Sequence, residues 1–76
     1  MFEELDTVIL THDINGHSLK EGDMGAIVNV YADGQAYEVE FVTASGKTVA
    51  LLTLTKNDIR SVAKDEILHV RGFAAQ

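Results

Sequence analysis

Residues 25–42, GAIVNVYADGQAYEVEFV, decide how this chain is read. Ala26, Val28 and Val30 alternate with Ile27, Asn29 and Tyr31, and Tyr37, Val39 and Phe41 alternate with Glu38 and Glu40. Period-two alternation is the signature of a half-buried strand. Asp33-Gly34 separates the two runs and marks a hairpin, because both central residues of a type I′ turn take positive φ. The core-facing set of the second run is Tyr37, Val39 and Phe41. Glu38 and Glu40 then share the outer face, roughly 6.5–7 Å apart along the strand, where alternating acids keep a surface solvated.

Working outward, LKEGDMG (19–25) places Gly22 and Gly25 ahead of the first strand. A phosphate-cradling loop needs a strand before its glycines and a helix after them, and here a strand follows. Gly22 is therefore read as a turn residue with φ > 0. Gly25 is read as the start of a strand that another backbone or an aromatic ring approaches closely. Upstream, TVILT (7–11) is a strand to which Leu5, Val8 and Leu10 contribute core contacts. Downstream, Ser45-Gly46 sits near the tip of a second hairpin whose return strand is KTVALLTL (47–54). That strand is apolar on both faces, as in a sheet covered on both sides. Turn signals at Asn15-Gly16, Gly22, Asp33-Gly34 and Ser45-Gly46 recur every six to twelve residues, the spacing of an all-β sandwich or barrel.

The C-terminal third admits two readings. Thr55 stands three residues before Asp58, a capping-box-like pattern, and Ile59, Val62, Ala63 and Ile67 fall at helical spacing. The preferred reading is a single turn at 55–58 followed by a short strand at 59–62. EILHVR (66–71) then forms a sixth strand, and residues 1–4 and 72–76 are flexible ends of one domain spanning 1–76.

The chain has 76 residues, with 46% apolar and 24% charged content, no proline and no cysteine. A domain of this size buries only about 60% of the surface its unfolded chain exposes, so its margin is small, ~3–5 kcal/mol. No stretch approaches the ~20 apolar residues of a membrane span or forms a signal-peptide core, and no membrane partner is expected. The absence of cysteine excludes disulfides and fits a reducing, cytoplasmic setting. Twelve acids against six bases give a formal charge of −6. The bases Lys20, Lys47, Lys56, Arg60, Lys64 and Arg71 are dispersed, so a nucleic-acid partner is not expected.

The ordered set LDTVILTHDI (5–14), LKEGDMGAIVNVY (19–31), YEVEF (37–41), LLTLTKNDIRSV (51–62) and EILHV (66–70) resembles a family of small bacterial proteins of unknown function. The order of elements resembles an SH3-like barrel: a long loop, a glycine-bounded strand, two tight hairpins, a one-turn connection and a short strand. The resemblance implies that fold, and for some members an antitoxin- or immunity-type role. It implies no activity.

The residues themselves give little chemistry. No cysteine is present, and Ser18, Ser45 and Ser61 lie in turns or connections without a spaced base and orienting acid, so no catalytic residue is assigned. His12, Asp13 and His17, with Glu21 or Asp23 as a further ligand, are the one cluster resembling a metal site. They are read as exposed loop residues, and neither a metal nor a cofactor is expected. His69 stands alone. Tyr31 and Tyr37 flank a hairpin as a base-stacking platform would, but acids surround them. The expectation is a non-enzymatic protein-binding module whose partner has a basic surface. The candidate contact residues are His12, Asp13, Glu21 and Asp23 in the long loop, Tyr31 beside the 32–35 tip, and Asn57 in the 55–58 turn. The alternatives are a self-associating subunit, a homodimer paired through residues 66–71, and a nucleic-acid-binding barrel.

Overall fold

The computed structural model describes residues 2–73, and the alternating runs of the sequence form five strands in it: β1 (Thr7–Leu10), β2 (Met24–Tyr31), β3 (Ala36–Val42), β4 (Thr48–Leu54) and β5 (Ile59–Ser61). All pairings are antiparallel, in one open sheet of order β4-β3-β2-β1-β5. The domain is all-β and of the small barrel-like kind. The succession of long loop, two hairpins, single turn and short last strand is the one read from the sequence.

One core serves the whole sheet. Val8 and Leu10 from β1, Ile27 from β2, Tyr37, Val39 and Phe41 from β3, Ala50 and Leu54 from β4, and Ile59 from β5 pack together with Leu19 of the long loop. Alternation in β3 is as expected, with Tyr37, Val39 and Phe41 nearly inaccessible. In β2 the alternation breaks. Ile27 faces Val39 and Asn29 faces Glu38, so Val28 is an extra residue, a bulge. Ile27 and Val30 therefore point to the core, and Ala26, Val28 and Val30 do not share one face. A second irregularity lies opposite Val42, which pairs with Thr48 while Phe41 pairs with Ala50. Bulges bend a strand and increase its twist, which lets so few strands wrap a core.

The roles of both loop-19–25 glycines stand. Gly22 has φ 94°, and a Cβ on Gly25 would lie 2.8 Å from Phe41 Cε1 and 2.8 Å from Val39 Cγ1. The Phe41 ring is the aromatic group for which that position leaves room. The second hairpin also closes near Ser45-Gly46: Gly46 N–H donates to the Thr43 carbonyl, Thr43 N–H to that of Lys47, and Gly46 has φ 89°. This is a three-residue loop with glycine in the left-handed position.

Several expectations are corrected. The first hairpin is not a two-residue turn. Its loop is residues 32–35, with Ala32, Asp33 and Gly34 all at positive φ (48°, 57° and 90°). Leu5 is 83% exposed rather than in the core, because a turn of residues 3–6 takes it to φ 74° and carries its side chain outward. Phe2, placed in a flexible end by sequence, packs against the core with its ring edge-on to Tyr37, centroids 5.4 Å apart. The outer side of the β3–β4 hairpin is open rather than covered, with Val42 and Leu51 each 51% exposed. The turn-then-strand reading of 55–61 stands, whereas the helical spacing of Ile59 to Ile67 carries no helix.

Residues 66–71 are not a strand. β1 already has β2 on one side and β5 on the other, so no place beside residues 7–11 remains. The segment instead forms a strap held by ion pairs. Of the expected flexible end 72–76, residues 74–76, like Met1, lie outside the described residues.

Candidate functional site

The long loop between β1 and β2 is built by short-range hydrogen bonds around one buried anchor. Leu19 is 3% exposed, its backbone bridges Ile14, and a one-turn 3₁₀ segment at Asn15–His17 lies between them. Side-chain carboxylates then satisfy loop amides that no strand partner reaches. Asp13 Oδ1 accepts from Glu21 N–H at 2.8 Å, and Asp23 Oδ2 accepts from Lys20 N–H at 2.8 Å. Gly22 N–H donates to the Leu10 carbonyl and Leu10 N–H to that of Asp23, closing the loop onto the end of β1.

The 55–58 turn docks against the start of this loop. Asp58 Oδ2 accepts from Thr55 N–H (2.8 Å) and from its hydroxyl (3.1 Å), so the Thr-Asp spacing seen in sequence closes a turn rather than caps a helix. Thr11 joins it to the loop, its hydroxyl donating to the Asn57 carbonyl at 2.8 Å and its N–H to that of Asp58. His12 Nε2 lies 2.8 Å from Asp58 Oδ1, and Nδ1 lies 2.9 Å from the Asp13 carbonyl. Both ring nitrogens face acceptors, an arrangement that only the doubly protonated ring satisfies. The hydrogen bond to Asp58, then that to Asp13, raises the His12 pKa. His12 in turn, with the Thr55 amide, lowers that of Asp58.

Four of the six sequence candidates, His12, Asp13, Glu21 and Asn57, thus lie in one hydrogen-bonded cluster. Asp23 belongs to a second arrangement that the sequence did not reveal. Arg71 reaches back across 48 positions to grip its carboxylate, Nε to Oδ1 at 2.8 Å and Nη2 to Oδ2 at 2.5 Å, and also donates to the Ser18 carbonyl. The guanidinium holds Asp23 below the usual carboxylate range. Tyr31 stands apart: its hydroxyl donates to Glu38 Oε1 at 3.1 Å, and no hydrogen bond among the described residues joins it to the other five. His12 and His17 are not brought together on a common ligand point, and the described residues contain no group of three or more His, Cys, Asp or Glu placed to hold a metal ion.

A second clamp precedes the strap. Arg60 makes a fork-to-fork pair with Glu66 (2.8 and 2.6 Å), whose Oε1 also accepts from Ala63 N–H at 2.7 Å. These bonds, the arginine's first, pull the Glu66 pKa down to about 2. Between the clamps the strap runs beside an open groove of about 1,030 Å³ on the outer side of the sheet. Its floor is apolar, Ala26, Val42 and Val49, with Glu40 among them. Glu21 and Asp23 of the long loop and Leu68 and Val70 of the strap also line the groove. Glu40 Oε2 accepts a 2.7 Å hydrogen bond from the Thr48 hydroxyl, which orients the carboxylate. Among the described residues neither Glu40 nor Glu21 is in an ion pair, whereas Asp23 is neutralised by Arg71. The groove can bind apolar side chains and attract a cation placed between them.

Sequence reasoning took Glu40 for an ordinary solvated acid, and only the register that sets it opposite Ala26 and Leu51 shows its apolar neighbours. No curated protein and no solved structure matches the chain. The pattern of one family matches residues 4–61, from the first turn to the end of β5 and short of the strap. The chain belongs to that family, described as a domain of unknown function (DUF4926).

Proposed function

We propose that this chain is a small non-enzymatic protein-binding module that receives a basic segment of another protein in the groove beneath its strap. One observation carries the reading: an apolar floor holds an oriented carboxylate, Glu40, with Glu21 at its margin, and neither is neutralised by a cation of the described chain. A Lys or Arg side chain matches such a floor, because its aliphatic stem covers apolar surface while its head pairs with a carboxylate. The formal charge of −6 adds long-range attraction for a basic partner and repulsion for nucleic acid.

The finer form of the proposal follows the family resemblance. The sheet is the framework of an SH3-like barrel in a bacterial, cytoplasmic protein, and the module acts as an antitoxin- or immunity-type partner of another protein. The supports are the element order, the absence of cysteine and the acidic surface.

The test is affinity capture with the full chain, identification of the bound protein, and reconstitution from purified components across a salt series. Association with a basic partner slows as salt rises, since screening acts within ~8 Å at 0.15 M. Glu40→Gln weakens binding and flattens the salt dependence. Micromolar or tighter binding to random oligonucleotides in 150 mM salt overturns the reading, as does a reconstituted complex indifferent to both salt and Glu40.

A further inference from the structure

The strap poses a problem that the groove does not answer. Ile67-Leu68-His69-Val70 is β-forming sequence, yet the segment has no strand partner, and no backbone–backbone hydrogen bond among the described residues involves 67–73. Ile67 and Val70 are 93% and 91% exposed. Such exposure in a loose tail is unremarkable, but this segment is fixed at both ends, by Glu66 to Arg60 and by Arg71 to Asp23. Two bidentate pairs therefore present a short run of apolar residues with its peptide groups unpaired. Fixing the ends in advance removes part of the entropy cost of binding.

The same chain carries a matching acceptor. β4 is an edge strand, paired only with β3. Its sequence, TVALLTL, contains no charge and no proline, the devices by which edges are usually blunted. Within one molecule the two are not paired: β4 bonds only β3, and no backbone hydrogen bond joins residues 67–70 to it, although both line the same groove.

We propose that residues 66–71 add as a strand to the β4 edge of a second copy of this chain, and that a two-fold dimer exchanges both straps reciprocally. The lengths agree, six residues against the seven of Thr48–Leu54. β4 is flanked by Lys47 and Lys56, so Asp65 at the head of the strap comes near a lysine in either strand direction, while Arg71 is already neutralised by Asp23. Main-chain hydrogen bonds supply the joint, as in other strand additions, and closure by a two-fold axis uses both donors and both acceptors.

The experiment is light scattering on the full chain over a concentration series, paired with amide hydrogen exchange at each concentration. The expected result is a dimer by high micromolar concentration, with the amides of residues 67–70 and the outward amides of β4 gaining protection together as it forms. Val70→Asp and Leu51→Lys alter exposed side chains and leave the monomer folded, and each raises the dissociation constant about tenfold or more. Mixing the two variants restores association through the one joint that remains intact. A chain that stays monomeric at high micromolar concentration overturns the proposal. So does a dimer in which amides 67–70 exchange as fast as in the monomer, because its interface then lies elsewhere.

Discussion

Gly25→Ala tests the packing logic of the fold at its tightest point. The added methyl sits 2.8 Å from Phe41 Cε1, 2.8 Å from Val39 Cγ1 and 3.0 Å from the Glu40 carbonyl oxygen. Carbon–carbon contacts prefer about 3.5–4.0 Å, so two of these are short by roughly 0.7–1.2 Å. Neither neighbour yields freely: Val39 and Phe41 are 0% and 2% exposed, and the third contact is backbone of the paired strand. Overpacking of this kind costs about 1–3 kcal/mol, partly offset by ~0.4–1 kcal/mol from the reduced freedom of the unfolded chain. A net loss of about 1–2 kcal/mol corresponds to roughly 4–16 °C in a domain of this size. Thermal melts followed by circular dichroism measure it. Gly16→Ala is the control, because nothing lies within 4 Å of its added methyl and its φ is not positive, so the melting temperature stays level or rises slightly. Phe41→Leu in the Gly25→Ala background then costs less than in the wild type, since it vacates the space the methyl needs. An unchanged melting temperature for Gly25→Ala, or strict additivity with Phe41→Leu, would refute the reasoning.

Three further outcomes are expected. Val39→Asp unfolds the domain, since lost burial of ~1.5–3 kcal/mol and an unpaired core charge together approach the whole margin, whereas Glu40→Lys melts near the wild-type temperature; equal stability of the two by circular dichroism contradicts the assigned inward face. Gly22→Val and Gly34→Val each destabilise by more than ~1 kcal/mol in denaturant titrations, because φ values of 94° and 90° exclude β-branched residues, and tolerance of both removes that basis. The His12–Asp58 pair contributes stability while His12 is protonated and Asp58 ionised. The raised His12 pKa makes that contribution full below 6.5 and lost as pH rises through the folded value, while the lowered Asp58 pKa preserves it down to about pH 4. The melting-temperature gap between wild type and His12→Gln is therefore widest near pH 5 and closes in alkali; a pH-independent gap shows the pair to be inert.

What was legible in the sequence is what short-range physics determines. Alternation in Tyr37–Phe41, glycines where φ must be positive, and the single turn at 55–58 each depend on neighbours a few residues apart. All three are found in the structure. The bulge at Val28 was not legible, because nothing in AIVNV marks which residue the ladder will skip. Its consequence is that Ile27 and Val30, on opposite faces by alternation, both point to the core. Leu5 misled for a related reason: an apolar residue two positions before a strand reads as core unless the turn that rotates it is known. The 66–71 segment carried a true local signal for β structure. It found no place beside β1, which was already paired on both sides, and pairing capacity is a property of the whole topology.

The candidate surface divides along the same line. His12, Asp13, Glu21 and Asn57 were chosen for lying in the long loop and the 55–58 turn, and hydrogen bonds do draw those two segments together. Arg71 escaped notice because its partner lies 48 positions away, and no spacing rule reaches that far. Yet that one ion pair shapes the groove, since it turns Asp23 from a free acid into an anchor and lays the strap beside the outer face. The residues left to attract a cation are Glu40 and Glu21. On the proposed reading the acidity of the chain narrows to two carboxylates beside an apolar floor, and Glu40→Gln is the substitution expected to weaken binding while leaving the fold intact.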